Sequence, residues 1–450
     1  MTWGARGARA RRKGIPPAMT TTEERQFPKI TDEGLAGLRA RRGIPAMRGD
    51  RQKYTQINAD AVRGFSLGAG DTNPLYTNED YARNSSWGTI VAPPCILLGA
   101  GIQEGRELTA AERESGRGGG LPGVHGMYSG HDWEWYQPMV EGDRIYRVQY
   151  EAGFSLKQGQ FAGRQVLQHM ETLYRNQHHE VVCKAVHWRF RTERNTAARR
   201  KSVFREPTVW SDEELARIDE AYANEIPRGA EPRYWEDVNV GDEMGEMVRG
   251  PFRITDAVSW ETGAGGPYAR TGRSDYEFRQ RHFGAYARDK QRVWDIVERV
   301  HWEDDFAREV GVPAAYDYGA QRIAWSASFM TNWMGDDAWL KRLWVQIRRF
   351  GIIGDLQTYQ GRVIDKRVED GEHQVVCDFW ATNQIGEITA PGQAIVVLPS
   401  REGGMPKLPA SGQPAYPTWG PETVLEPLGL PPVEPGPQAH GYKHVGVPDQ

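Results

Sequence analysis

The chain has 450 residues, enough for two or three domains of ordinary size. With 39% hydrophobic and 26% charged residues its composition is that of a soluble globular protein, and a net charge of -4 argues against nucleic-acid and anionic-membrane partners. Three widely spaced cysteines in apolar runs, Cys95, Cys183 and Cys377, read as reduced, buried thiols of a cytoplasmic protein, and no run reaches the roughly 18 apolar residues of a membrane span.

In chain order, residues 1–50 form an N-terminal extension. Its start, "MTWGARGARARRKGIPPAM", is basic but has no apolar run after the charges. It therefore reads as a disordered leader, or as sequence upstream of a start at Met19, and not as a secretory signal. A first unit follows over residues 51–200, a charged linker over 201–230 and a second unit over 231–400. The tail, 401–450, holds eleven of the 28 prolines, which excludes packed regular structure.

The two units are copies of one another. "NADAVRGFSLGAGD" (58–71) parallels "ITDAVSWETGAGG" (254–266), and "YTNEDYAR" (76–83) parallels "HWEDDFAR" (301–308). Gly142-Asp143 parallels Gly354-Asp355, and "HHEVVCKAVHW" (178–188) parallels "EHQVVCDFWAT" (372–382). Four matches in the same order mark an internal repeat.

Each copy opens with a short strand and a helix starting near Asp60 or Asp256, with Asn58 or Thr255 as its cap. An acidic turn follows, then a hydrophobic helix: "CILLGAGIQ" after Pro94 and "AQRIAWSASFMTNWM" after Gly319. About four long strands with alternating aromatic and β-branched residues complete the unit. The pattern predicts an α+β fold in which an antiparallel sheet wraps a buried helix, with the sheets of the two copies pairing edge to edge.

The copies differ by insertions. Residues 103–126 are polar and Gly-rich, a mobile lid or surface loop without the Gly-Lys-Ser/Thr of a phosphate loop. Residues 268–300 interrupt copy two. "HDWEWYQPM" (131–139) reads as a strand whose tryptophans fill the core, and His179 and His373 as structural residues at strand starts. "NWMGDDAWL" (332–340) reads as a turn, not a metal site.

At "GDTNPLY" followed by "WGTIVAPP" the sequence resembles the MaoC-type (R)-specific enoyl-CoA hydratases and dehydratases, whose loop reads Asp-x-Asn-Pro-x-His. Residues 50–400 look like a double-hot-dog member of that superfamily, on the branch of fatty-acid-synthase-like dehydratase domains. The resemblance implies addition or removal of water across C2=C3 of an acyl-CoA thioester, with no metal or cofactor. A bulky or branched acyl group fits such a pair of copies better than a short linear one. In the family, the Asp and the His hold a water beside the thioester. The thioester oxygen meets backbone N–H groups at the start of the central helix, here Pro93, Pro94 and Cys95 in copy one or Tyr318 and Gly319 in copy two. Two groups of separated pKa on one water can act as base and acid, and a helix N-terminus stabilises the developing enolate.

Carried over residue by residue, Asp71, Asn73 and Pro74 match the motif, but Tyr76 stands where its histidine belongs. In copy two His301 matches the histidine, and the acid's position falls on Gly266 or Ala264. Three readings follow. Copy two is active, its acid supplied by Asp295, Glu298 or Asp317; or copy one is active, with Asp71 as base and Tyr76 as proton donor; or neither turns over. Pairing Asp71 with His301 across the copies is the least favoured arrangement. Asp317 also reads as the N-cap of the helix after it. The rival functions are a non-catalytic acyl-CoA-binding or partner subunit and a hot-dog thioesterase. The expected assembly is a homodimer or an oligomer with a related hot-dog subunit.

Overall fold

The computed structural model describes residues 28–45, 52–104, 108–116, 121, 124–159, 163–193, 205–265 and 270–412. The basic leader, the tail beyond residue 412, Gly266 and parts of the Gly-rich 103–126 segment lie outside these. Copy one contributes β1 (Ile102–Gln103), β2 (His125–Trp135), β3 (Tyr146–Gly159), β4 (Gly163–Arg175) and β5 (Val181–Thr192). Copy two contributes β6 (Glu243–Arg249), a separate hairpin of β7 (Tyr286–Arg288) and β8 (Trp294–Ile296), then β9 (Trp339–Gln346), β10 (Gln357–Glu369), β11 (Glu372–Thr382) and β12 (Ile388–Val397). All but the hairpin join one ten-stranded sheet in the order β1-β3-β4-β5-β2-β9-β12-β11-β10-β6.

The copies meet where β2 pairs antiparallel with β9, from Gly130 opposite Gln346 to Glu134 opposite Arg342. Pairing these inner strands removes two exposed edges, and the Arg342 guanidinium spans the seam to Asp132 with contacts of 2.9 and 2.6 Å. Against this sheet lies the helix Gly319–Met334, with 13 of its 16 residues buried, including Trp325, Phe329 and Trp333. A helix buried on nearly every side belongs inside a fold; its polar residues are paired there, as Arg322 with Asp317 and Ser328 with Asp71, and its core is continuous with Trp133 and Trp135 of copy one. The architecture is α+β, a double hot dog.

The repeat survives in its hydrogen bonds. Asp143 Oδ2 accepts from Val140 N and Asp355 Oδ2 from Ile352 N, each at 2.9 Å. Their carbonyls accept from Ile57 N and Phe252 N at 2.8 Å. Each Gly-Asp pair is thus a turn that ties the start of its copy to the long strands. The helix Ala59–Ala69 and the turn Glu261–Gly265 after the helix Ile254–Trp260 cross so closely that a Cβ on Gly68 would lie 2.5 Å from the Gly263 Cα, so this crossing requires glycine.

Three sequence expectations need correction. "CILLGAGIQ" is not a central helix: a 3-10 turn, Pro94–Leu98, ends at once, because Gly101 takes φ 127°, which no helix permits. Tyr54 instead bridges the segment, donating to Gly99 O and accepting from Gly101 N. Thr255 does not cap its helix; Arg253 does, its N–H donating to Asp256 Oδ2 at 2.8 Å. His179 does not begin a strand but sits at φ 65° in the turn before β5, whereas His373, the second residue of β11, is at a strand start as expected. Asn58 is the cap expected of it, accepting from Ala61 N at 2.8 Å. Beneath the β7–β8 hairpin, the helix Gly272–Arg281 closes a small core of Phe278, Tyr286 and Ile296.

Candidate active site

In copy one the Asp-Thr-Asn-Pro loop is folded onto itself. The helix Ala59–Ala69 stops at Gly70 in the left-handed conformation, φ 71°, and turns the chain inward at Asp71. Asp71 Oδ1 accepts from Asn73 N at 3.0 Å, and Oδ2 accepts from the Ser328 hydroxyl at 2.7 Å. Asn73 caps the next turn, accepting from Leu75 N at 3.0 Å, with Pro74 at its first position. Asp71 thus holds its own loop through Oδ1 and joins copy one to the central helix of copy two through Oδ2. Burial pushes its carboxyl upward, against the pull of the Asn73 and Ser328 donors.

Tyr76 is buried beside this loop, and burial together with the charge of Asp71 raises its phenol well above the ordinary range. The cavity it shares with Asn73, Trp87, Trp135, Asp336 and Trp339 holds only about 40 Å³, room for water but not for an acyl chain. Asp336, of the Gly-Asp-Asp turn, accepts from the Tyr81 hydroxyl at 2.7 Å and ties the same corner together. Pro94 O accepts from Trp135 Nε1 at 3.1 Å, and the buried Cys95 thiol lies 3.9 Å from Ile323 O. Pro93, Pro94 and Cys95 thus pack against the core, and burial drives the Cys95 thiol up.

Copy two is arranged differently. The hairpin β7–β8 leads into a 3-10 turn, Val297–His301. Side chains three apart on such a turn eclipse one another, so Glu298 and His301 share one face. Arg299, between them, points the other way. It is buried and donates to Ala287 O and Arg288 O at 3.1 Å, pairs with Glu303 at 2.9 Å, and lies 4.0 Å over the Phe306 ring. This anchor fixes the turn between the insertion and the helix Asp304–Glu309.

His301 is buried between two tyrosines. Its ring stacks on Tyr318 at 3.7 Å and meets the edge of Tyr316 at 4.5 Å. Nδ1 lies 2.7 Å from Tyr316 O, a geometry in which Nδ1 carries the proton and Nε2 is left as acceptor. Burial lowers the imidazole to about 4. Glu298 moves in the opposite direction, raised to about 7 by burial and by the charge of Glu261. Glu261 opens a π-helical turn, Glu261–Gly265, and the Tyr318 hydroxyl faces both carboxyls.

Tyr318 is the N-cap of the central helix and makes no side-chain cap, so the first-turn N–H groups at Gly319 are not claimed by a capping side chain. The expectation that Asp317 caps this helix is therefore corrected. Asp317 is fully buried and ion-paired with Arg322 at 2.9 Å, with its N–H donating to Gly351 O. Burial raises its carboxyl to about 7 against the pull of Arg322. Asp295 accepts from Ile296 N at 2.7 Å within the hairpin. Among the described residues, no three of His, Cys, Asp and Glu converge as a metal-binding group.

The structure thus brings His301, Tyr318 and Gly319 together, with Glu298 beside them. Asp71, Asn73 and Tyr76 are elsewhere: Ser328 lies nine residues beyond Gly319, which sets Asp71 about 13 Å down the helix. Sequence reading missed Glu261 and also Tyr128, whose ring lies over Gly319. The only signal for Glu261 was its place in the repeated Gly-Ala-Gly segment; Tyr128 had none.

Residues 47–185 match the family model of the FAS1-like dehydratase domain region. No curated protein matches this chain. Among solved structures, the chain is similar to a MaoC-like dehydratase at 16% identity and TM-score 0.54, over 80% of this chain and 99% of that one. It is also similar to a MaoC domain protein of Chloroflexus aurantiacus J-10-fl, at 12% identity and TM-score 0.44 over 79% of this chain and 96% of that one. A Mycobacterium tuberculosis protein described as having a double hotdog fold aligns at 8% identity and TM-score 0.44, over 78% of this chain and 94% of that one. Residues 47–185 thus match a FAS1-like dehydratase region, in a chain whose fold is that of a double hot dog.

Proposed function

We propose that the chain is a hydratase or dehydratase that adds or removes water across C2=C3 of an acyl-CoA thioester, and that the site is in copy two. What supports this reading is the i,i+3 spacing of Glu298 and His301 in a 3-10 turn, with the His301 ring stacked on Tyr318 at the uncapped N-terminus of the central helix. In hydration, neutral His301 takes a proton from water at Nε2 while protonated Glu298 delivers one to C2. The two then exchange a proton to reset. The first-turn N–H groups at Gly319 receive the thioester oxygen as enolate charge develops, assisted by the positive end of the helix dipole. Tyr318 holds the imidazole plane, and the Asp317–Arg322 pair fixes the backbone next to it.

In this reading the Asp71 loop is a joint between the copies. The three free, buried cysteines support a reducing, cytoplasmic setting, and among the described residues no helix is long and apolar enough to cross a membrane. The proposed assembly, a homodimer or an oligomer with a related hot-dog subunit, is read directly by sedimentation. Function is tested by following the conjugated enoyl-thioester absorbance with a panel of enoyl-CoAs. Loss of absorbance without release of free CoA is expected. Release of free thiol would point to a thioesterase, and silence on every substrate with retained CoA-ester binding would leave the non-catalytic partner subunit.

A further inference from the structure

Copy one reaches the start of the central helix of copy two through Tyr128 of β2, whose ring lies against Gly319. A bulge breaks the register of β2 against β5 between Tyr128 and Gly130. Gly130 is required there, because it takes φ 156° and the Trp188 ring occupies the place of a Cβ. Bulges re-aim side chains, and this one sets the Tyr128 ring on the start of the central helix. A Cβ on Gly319 would lie 2.8 Å from Tyr128 Cδ1, so this glycine makes room for the ring.

The ring is pinned. Its hydroxyl is hydrogen-bonded to His131 Nδ1, its face stacks on His187 at 5.9 Å and 9°, and His131 in turn stacks on Trp133 at 4.0 Å. Burial raises the Tyr128 phenol, Cys95 and Tyr174 of copy one are close enough for their charges to raise it further, and the Tyr174 hydroxyl donates to Leu97 O at 3.2 Å. There copy one keeps a five-residue 3-10 turn where copy two has a sixteen-residue helix. Tyr128 therefore lies against Gly319, where the thioester would sit, and within electrostatic reach of Cys95 in the shortened element of the other copy.

We infer that Tyr128 determines acyl specificity: pinned by His131, its ring closes the path from the N-terminus of the central helix into copy one and limits the chain length accepted. This rests on the reading that the thioester sits at Gly319. The barrier is the ring and not the hydroxyl, so shape decides the outcome. It also narrows the expected bulky acyl group to one that ends at this ring.

The test compares kcat/KM for decenoyl-CoA and crotonyl-CoA in wild type, Tyr128→Ala and Tyr128→Phe. Tyr128→Ala is expected to raise the long-to-short ratio by about tenfold or more, while Tyr128→Phe holds it within about twofold of wild type. Tyr128→Leu, which keeps more of the packing, guards against a folding defect and should shift the ratio in the same direction. The same proteins titrated with saturated butyryl-CoA and decanoyl-CoA separate this inference from the hydratase reading. A shifted affinity ratio without turnover by any of them would uphold the gate and sink the catalytic reading. A folded Tyr128→Ala and Tyr128→Leu with unchanged ratios in both assays would overturn the gate.

Discussion

At the scale of single residues, the argument turns on two groups pushed in opposite directions. Glu298 is held up to about 7 by burial and by Glu261, so the folded chain favours its neutral form. The stability it contributes is complete below the ordinary carboxyl range near 4 and is lost as the pH rises through about 7. Glu298→Gln removes that loss. It is expected to melt at a higher temperature than wild type at about pH 8 and at the same temperature at about pH 4, as read by calorimetry. His301 is held down to about 4, so its contribution is complete above about 6.5 and disappears as the pH falls through about 4. Asp71, although also buried, already accepts from Asn73 N at one oxygen and from the Ser328 hydroxyl at the other.

At the scale of elements, the 3-10 turn is positioned by what surrounds it. The β7–β8 hairpin accepts Arg299 on two carbonyls, and the helix Asp304–Glu309 receives it through Phe306 and through Glu303 at its start. Arg299→Met keeps much of the stem but leaves the carbonyls and Glu303 without their donor. The expected cost is about 3 kcal/mol in denaturant unfolding, the magnitude of breaking a buried charge network. Because the same turn carries Glu298 and His301, kcat should fall in the surviving folded protein. If Arg299→Met is as stable and as active as wild type, the insertion does not set the turn. The central helix needs no such anchor, being buried on nearly every side.

At the scale of the molecule, the repeat made most of the fold legible. Asp-Ala-Val starts, Gly-Asp turns and the Val-Val-Cys strands are local patterns, and local patterns survive in sequence. The central helix of copy two was readable from its apolar run, but its counterpart in copy one was not. There Gly99 and Gly101 end an apolar segment whose periodicity looks the same until the backbone is seen. The site was half legible. His301 was found through the repeat and Glu298 was one of three candidate acids; choosing among them required the 3-10 geometry that puts residues 298 and 301 on one face. On the proposed reading the Asp-Thr-Asn-Pro loop serves as a turn, since the residues that build a catalytic loop also build a turn. Tyr128 and Glu261 come from parts of the chain distant from His301, and only tertiary packing brings them near it. The measurement that tests the central claim most directly is kcat for enoyl-CoA hydration in three variants side by side. The account predicts that Glu298→Gln and His301→Ala each fall by about a hundredfold or more, while Asp71→Asn stays within about tenfold of wild type. A dead Asp71→Asn beside active Glu298→Gln and His301→Ala would contradict it and move the chemistry to copy one.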